Sequence, residues 1–323
     1  MNRHPTASPL PRRLRRSHPA GSPLEGEGSE ASPHRAEGAG RPTRLAAVIG
    51  WPVGHSISPA MHNAAFRALG LHWHYLALPV DPRDLSVAVA GLRALGFAGF
   101  NVTIPHKIAM LPLMDELSED AVAIGAVNTV VIRDGRLTGH NTDAYGFLTT
   151  LEASGFAPAG RQALVLGAGG AARAVVYALA RAGTVVRLWN RTPERASRLV
   201  ADLAPHLAGA SVAALPGDGA ALAGALSKAD LVVNATSVGM KGGPAGSPLP
   251  AGLLLRPDMT VFDLVYTPPL TPLLRQARAA RARPVGGLGM LVRQGARAFT
   301  LWTSIEPSVE VMERAARRAL GRR

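Results

Sequence analysis

Only three of the 35 basic residues in this 323-residue chain are lysines, Lys107, Lys228 and Lys241, and Lys107 closes the run Asn101-Val-Thr103-Ile-Pro-His-Lys107. Arginine keeps its proton, whereas a lysine amine can give one up and take it back. A lysine kept in so arginine-rich a chain is a candidate proton-transfer group, although a single Lys is most often a solvated surface residue. Small polar groups gather in three further stretches: Gly54-His-Ser56-Ile-Ser58-Pro59, Asn128-Thr129 and Asn141-Thr142-Asp143. Two hydroxyls at a helix start can hold a carboxylate together with the positive helix end. Ser58-Pro59 also reads as a helix N-cap followed by proline at N1. Asp143 can simply complement a helix dipole. The chain has no Cys, which excludes disulfides, thiolate metal sites and cysteine nucleophiles. His72 and His74 would share a strand face, but no third ligand stands near them, so no metal is expected.

Gly167-Ala168-Gly169-Gly170-Ala171-Ala172 follows an apolar strand pattern and opens a helical one, the setting that makes a glycine pattern a dinucleotide fingerprint. Glycines let the backbone approach a pyrophosphate, whose charge settles at the helix N-terminus. An NAD site commonly ends its second strand on a carboxylate that binds the ribose 2′-hydroxyl. Here Asn190-Arg191-Thr192 stands at that point, with Arg195 one short turn on. Guanidinium groups pair with a 2′-phosphate, so NADP is favoured. Thr192 before Pro193 also reads as a helix N-cap, and both readings can hold for the same residues.

The elements that must position these groups alternate as in an α/β protein. Strands are predicted over 45–50, 73–79 and 99–104, with helices over 59–69 and 84–95 between them. A hairpin over 128–138 turns at Asp134-Gly135, and a helix follows over 143–153. A second unit runs strand 163–166, helix 171–182 and strand 185–189, with later strands over 231–234 and 260–264. The segment 290–305 is helical, with Leu291, Ala298, Leu301, Trp302 and Ile305 on one face.

A hydrophobic content of 47% rules out a wholly disordered chain. No apolar run approaches the roughly 18 residues that span a bilayer, so no membrane association is expected. The net charge of +13 is spread out, with seven Arg and four Glu putting +3 of it in residues 1–43. That spread, and an aromatic content of 5%, argue against a nucleic-acid partner and leave a small-molecule substrate. The contrary reading, nucleic-acid binding through the basic surface and the arginine-rich tail, would show as salt-sensitive affinity. Residues 1–43 lack Val, Ile, Phe, Tyr and Trp and are expected to be a disordered tail. No apolar stretch follows Arg12, Arg13, Arg15 and Arg16, so no export signal is supported and a cytoplasmic location is expected. A homodimer is left open.

Nine stretches together carry a specific likeness: GHSISP (54–59), NVTIPHK (101–107), GAVNT (125–129), GHNTD (139–143), GAGGAAR (167–173), NRTPERA (190–196), NATSVGM (234–240), DLVYTPPLTPLL (263–274) and GLGMLVRQ (287–294). With these motifs the chain resembles the shikimate dehydrogenase family from Val48 to near the C-terminus. The resemblance implies NADP-dependent, reversible reduction of 3-dehydroshikimate to shikimate, on the route to chorismate and the aromatic amino acids. The nearest alternative is a quinate/shikimate dehydrogenase with the same machinery. It implies an N-terminal three-layer α/β substrate domain with a mostly parallel sheet (44–145, completed by C-terminal helices over 289–318) and a Rossmann NADP-binding domain (146–288). By motif, Lys107 is the proton-transfer residue, paired with Asp143. Ser56, Ser58 and Tyr266 hold the substrate carboxylate; Thr103, Asn128, Asp143 and Gln294 bind ring hydroxyls. Gly167, Ala168, Gly169, Gly170, Ala171, Asn190, Arg191, Thr192, Arg195, Leu264 and Gly287 line the cofactor. The family also associates a serine at the position of Ser58 with shikimate, and a threonine there with quinate.

Overall fold

The computed structural model describes residues 42–321, so the expectation for the tail falls outside the described residues except at Pro42 and Thr43. The chain first runs through β1 (Arg44–Gly50), α1 (Ser58–Ala68), β2 (Trp73–Pro79), α2 (Leu85–Ala94), β3 (Gly99–Val102), β4 (Glu116–Leu117), α3 (Glu119–Ile124), β5 (Thr129–Arg133) and β6 (Arg136–His140). These strands form one sheet in the order β2-β1-β3-β5-β6-β4. Strand β1 lies parallel to β2 and β3, and β5 runs antiparallel to β3 and β6. The apolar run of β1 is buried on both faces, as expected of a central parallel strand. Ala46 and Val48 face one core cluster, whereas Ala47 and Ile49 face another beneath α2. The period of two therefore builds three layers.

After α4 (Asp143–Ala153) come β7 (Gln162–Leu166), α5 (Gly170–Arg181), β8 (Val185–Trp189), α6 (Pro193–Leu203), β9 (Val212–Ala214), α7 (Gly219–Lys228), β10 (Leu231–Asn234), β11 (Thr260–Asp263), α8 (Pro272–Ala279) and β12 (Arg283–Gly286). This second sheet has the order β12-β11-β10-β7-β8-β9 and every pairing in it is parallel. Both sheets reverse direction of growth beside their first strand, between β1 and β3 and between β7 and β10. Such switch points open a crevice beyond the carboxyl ends of the strands, where α/β proteins bind ligands. The motif loops 50–58, 103–107 and 167–170 all start there.

Two further helices, α9 (Leu288–Thr303) and α10 (Val309–Gly321), return the chain to the first sheet. Trp302 of α9 donates its indole N–H to the Val130 carbonyl at 2.9 Å. It passes over Gly99, where an added Cβ would lie 2.3 Å from that nitrogen. Helix α10 packs on α1 through Met312 and Ala316, whose cluster also holds Met61 and Ala65. No helix among the described residues is long and apolar enough to cross a membrane.

Three local expectations need correction. Ser58 is the first residue of α1, with Ile57 at the cap and no side-chain cap bond. Ser56 takes the local role instead, its Oγ accepting the Ser58 N–H at 3.2 Å. Strand β3 ends at Val102, because the chain turns from Thr103 and the His106 N–H closes onto the Thr103 carbonyl at 3.0 Å. His72 precedes β2, so it shares no strand face with His74.

His62 on α1 is fully buried, and neither ring nitrogen has a hydrogen-bond partner among the described residues. It stacks on Tyr75 with ring centroids 4.3 Å apart, and Phe299 and Trp302 complete the apolar box. Burial pushes its imidazole down from 6.5 to about 3. The unfolded chain therefore binds a proton below about pH 6.5 that the folded chain refuses until about pH 3, so stability drops as the pH is lowered across that window and is regained as it is raised. From this residue alone the loss between pH 7 and pH 5 is about 2 kcal/mol. Denaturant titrations of His62→Leu should show a shallower fall over that range than the parent; identical slopes would remove His62 from the account.

Candidate active site

The end of β3 delivers Lys107. Its carbonyl accepts the Val127 N–H at 2.8 Å, and the buried His106 ring donates to the Val80 carbonyl at 2.8 Å. With the backbone fixed on both sides, the Lys107 side chain, 14% exposed, runs inward to an ion pair between its Nζ and Asp143 Oδ2. Asp143 is the first residue of α4, where a helix N-terminus favours a negative charge. The cap itself is made by Asn141, whose Oδ1 accepts the Asp143 N–H at 3.0 Å. Thr142, the residue at the cap position, makes no side-chain cap bond.

Asn128 organises the other side of the carboxylate. Its Nδ2 donates to Asp143 Oδ1 at 2.9 Å and lies 3.3 Å from Gln294 Oε1. Its Oδ1 accepts the Thr142 N–H at 2.7 Å, which fixes the amide's orientation. Gln294 is held in turn by donating from Nε2 to the Leu291 carbonyl at 2.8 Å. Four expected residues, Lys107, Asn128, Asp143 and Gln294, thus form one hydrogen-bonded group.

Gln294 reaches the group because α9 crosses α4 at very short range. A Cβ on Gly146, one turn after Asp143, would lie 2.8 Å from the Gln294 backbone nitrogen and 2.8 Å from the Met290 carbonyl. Gly146 was not among the expected site residues. A glycine inside a helix costs about 1 kcal/mol relative to alanine, and that anomaly is the signal that could have pointed to it.

The carboxylate-type motif sits on the neighbouring strand end. Ser56 and Ser58 follow β1, Thr103 follows β3, and the Trp51 N–H donates to the Ile104 carbonyl at 3.0 Å to join the two loops. A Cβ on Gly50 would meet Thr103 Cγ2 at 2.4 Å, so the close approach of these loops depends on that glycine. Tyr266, from beyond β11, packs against the core cluster that contains Ile57 and Met61.

In the second sheet Gly167 adopts φ +109°, and a Cβ there would meet Thr236 Cγ2 at 2.8 Å and the Ala235 backbone at 3.1 Å. Ala168 and Gly169 lead into α5, which starts at Gly170 and Ala171 with no side-chain cap on its first N–H groups. Asn190 at the end of β8 donates to the Thr192 carbonyl at 2.9 Å, shaping the turn that presents Arg191 and Arg195. Both arginines are exposed and belong to no ion pair among the described residues. Leu264 and Gly287 meet directly: a Cβ on Gly287 would lie 2.1 Å from the Leu264 carbonyl oxygen. Asp263, just before them, is buried, which pushes its carboxyl up. Bonds from Thr271, Val265 and Asn234 oppose that shift and tie β10 to β11. The two sheets meet where Gly170 rests on Lys107, with an added Cβ 3.1 Å from Lys107 Cβ.

Known proteins resemble this chain over most of its length. Residues 48–130 match the family described as shikimate dehydrogenase substrate binding domain, and residues 287–317 match the shikimate 5′-dehydrogenase C-terminal domain. A shikimate dehydrogenase (NADP(+)) of Moorella thermoacetica is 52% identical over 280 residues, covering 86% of this chain and 94% of the relative. The chain belongs to the shikimate dehydrogenase family. Among solved structures, the shikimate 5-dehydrogenase of Thermus thermophilus in complex with NADP(H) and shikimate is similar at 45% identity. The TM-score is 0.77, over 86% of this chain and 100% of that one. The quinate dehydrogenase of Corynebacterium glutamicum in complex with NAD is similar at 35% identity with a TM-score of 0.77, over 84% and 98%. The fold of this shikimate dehydrogenase family member is therefore shared with proteins named for either acid.

The α4–α9 crossing yields a contrast between two helical glycines. Gly146→Ala should push α9 from α4 and lower kcat/KM by about tenfold or more. Gly91→Ala, on α2 with open space around it, should leave kcat/KM unchanged and raise stability by about 0.5 to 1 kcal/mol. Steady-state kinetics and thermal melts in which the two alanines behave alike would contradict this packing argument.

Proposed function

We infer that the chain is an NADP-dependent shikimate dehydrogenase that reversibly reduces 3-dehydroshikimate to shikimate, with Lys107 moving the proton and Asp143 holding it. The observation that carries the reading is the contact of Gly170 with the Lys107 stem, which joins the glycine loop of one sheet to the ion pair of the other. When bound, the cofactor would supply a hydride in its reduced form, NADPH, for reduction, and in its oxidised form would accept one in oxidation. The residues fit that group: a positive-φ glycine packed on Thr236 and Ala235, a helix start whose N–H groups no side chain caps, and two arginines outside every ion pair of the described residues. Gly167, Ala168, Gly169, Gly170 and Ala171 would hold the pyrophosphate. Asn190, Arg191, Thr192 and Arg195 would hold the 2′-phosphate end. Leu264 and Gly287 would line the remaining wall.

The proton chemistry follows from the ion pair. In reduction the Lys107 ammonium gives its proton to the carbonyl oxygen as negative charge develops there; in oxidation the amine takes the hydroxyl proton back. Asp143 pairs with the ammonium and fixes its direction. Ser56, Ser58 and Tyr266 would take the substrate carboxylate, and Thr103, Asn128, Asp143 and Gln294 the ring hydroxyls. In this reading residues 44–145 with 289–318 form the substrate domain and 146–288 the NADP-binding domain. The division is supported by the membership of β1–β6 and β7–β12 in separate sheets. Every proposed residue comes from one chain, so the reading needs no second copy, whether the protein works alone or as a homodimer.

The test is purified protein assayed with shikimate or quinate and with NADP or NAD, read at the reduced-nicotinamide absorbance. Quinate carries an extra hydroxyl on the carbon bearing the carboxylate, and a buried hydroxyl left unpaired costs about 1 to 3 kcal/mol. Shikimate should therefore lead by roughly tenfold or more in kcat/KM. Comparable values for the two acids would move the reading to a quinate/shikimate dehydrogenase. In the same assay Arg191→Asp should raise KM for NADP and leave NAD use much less affected. Equal losses with both cofactors would count against 2′-phosphate recognition.

A further inference from the structure

A buried chain of hydrogen bonds crosses one face of the first sheet and ends on the Asp143 carboxylate. Tyr75 on β2 donates its hydroxyl to Asn101 Oδ1 at 2.7 Å. Asn101 on β3 donates from Nδ2 to Thr129 Oγ1 at 2.9 Å and to the Asn128 carbonyl at 3.2 Å. Thr129 on β5 donates to Asn128 Oδ1 at 3.1 Å, and Asn128 donates to Asp143 Oδ1 at 2.9 Å. All five residues are buried. Asn101 pairs directly with Thr129 across β3 and β5. Tyr75 reaches Asn101 over β1, where its register partner is the small Ala46.

We propose that Tyr75 and Thr129 are positioning residues for the proton-transfer site, acting on Asp143 through Asn101 and Asn128. The proposal rests on the functional reading above. The direction of the chain is set by the Asn128 carbonyl, which can only accept. Asn101 must turn its Nδ2 toward that carbonyl and Thr129, which leaves its Oδ1 for the Tyr75 proton. Thr129, now accepting, has one proton to give, with Asn128 Oδ1 at 3.1 Å and Thr142 Oγ1 at 3.2 Å as its acceptors. Together with the Thr142 N–H, which already donates to Asn128 Oδ1, this holds the Asn128 Nδ2 toward the carboxylate. The starting point is unusually fixed. Asn63 on α1 binds both backbone groups of Tyr75, accepting its N–H at 2.8 Å and donating to its carbonyl at 3.0 Å. The Tyr75 ring is stacked on His62. A core that needed only volume would be satisfied by phenylalanine and valine at these positions. The hydroxyls instead form a fully satisfied polar line, and such lines are cooperative in a low-dielectric interior.

The test is a double-mutant cycle on the full chain with Tyr75→Phe and Thr129→Val. Each should lower kcat for shikimate oxidation by about tenfold, with KM for shikimate changed by no more than about threefold. The double variant should be about as slow as Thr129→Val alone, because both changes cut one chain. Thr129→Ser, which keeps the hydroxyl, should recover most of the loss. Hydrogen exchange of the Thr142 N–H, which donates to Asn128 Oδ1, reads the same coupling without substrate. It should quicken in both single variants while the amides of β1 do not change. Lowered Tm with parent kcat and parent Thr142 exchange would overturn the proposal, as would losses that simply add. A parent protein that fails to turn over shikimate would count against the functional reading alone, and the exchange measurement would still decide whether the chain of bonds acts on Asn128.

Discussion

A lysine ammonium paired with an aspartate carboxylate out of bulk water is the constraint around which this molecule is arranged. Desolvating two charges costs several kcal/mol each, and their attraction offsets that only when the remaining polar atoms are also satisfied. Here Asp143 receives the Lys107 ammonium on one oxygen and the Asn128 amide on the other, at the start of a helix. Each of those partners needs a partner of its own, and so the requirement spreads outward. Asn128 is oriented by the Thr142 N–H, Asn141 caps the helix, and the Lys107 backbone is locked to Val127. Motifs scattered along the chain thus meet one condition, that a charge pair held mostly out of water find protein partners.

The same condition explains why the chain leaves the first sheet and comes back. Gln294 is brought beside Asn128 by α9, and that helix can lie close enough only because Gly146 removes a side chain from the crossing. The second sheet is inserted in the chain between α4 and α9, and its glycine loop comes to lie beside Lys107. Gly170 touches the Lys107 stem, and a larger residue there would move the amine. The geometry of the ion pair and the placement of the glycine loop are therefore coupled through van der Waals contact.

Much of this was legible in the sequence, for identifiable reasons. Buried parallel strands such as β1 write themselves as continuous apolar runs, and Gly167 to Ala172 between a strand and a helix names its own context. The paired Lys107 and Asp143 were expected and are found in contact. The shikimate dehydrogenase family assignment followed from motifs that cover most of the chain. What could not be read is what depends on distant packing. The Tyr75 hydroxyl looks like that of an ordinary strand residue, because β-propensity alone accounts for it, and the pairing of Thr129 with Asn101 depends on strand register. Ser58 before Pro59 looked like a cap, but Ser56 already bonds its N–H. The helix α10 was expected only through the family likeness, within the C-terminal helices over 289–318, because its packing on α1 is a contact between distant segments.

The proposed proton transfer by Lys107 is tested most directly by substituting it while following shikimate oxidation. Lys107→Ala should lower kcat by orders of magnitude with a much smaller change in KM, since a proton-transfer role is expressed in the transition state. Lys107→Arg keeps the positive charge beside Asp143 but cannot release its proton, and it should be about as slow as the alanine variant. An arginine variant that turns over shikimate at close to the parent rate would show that charge, rather than proton transfer, is what the site requires, and would contradict the account.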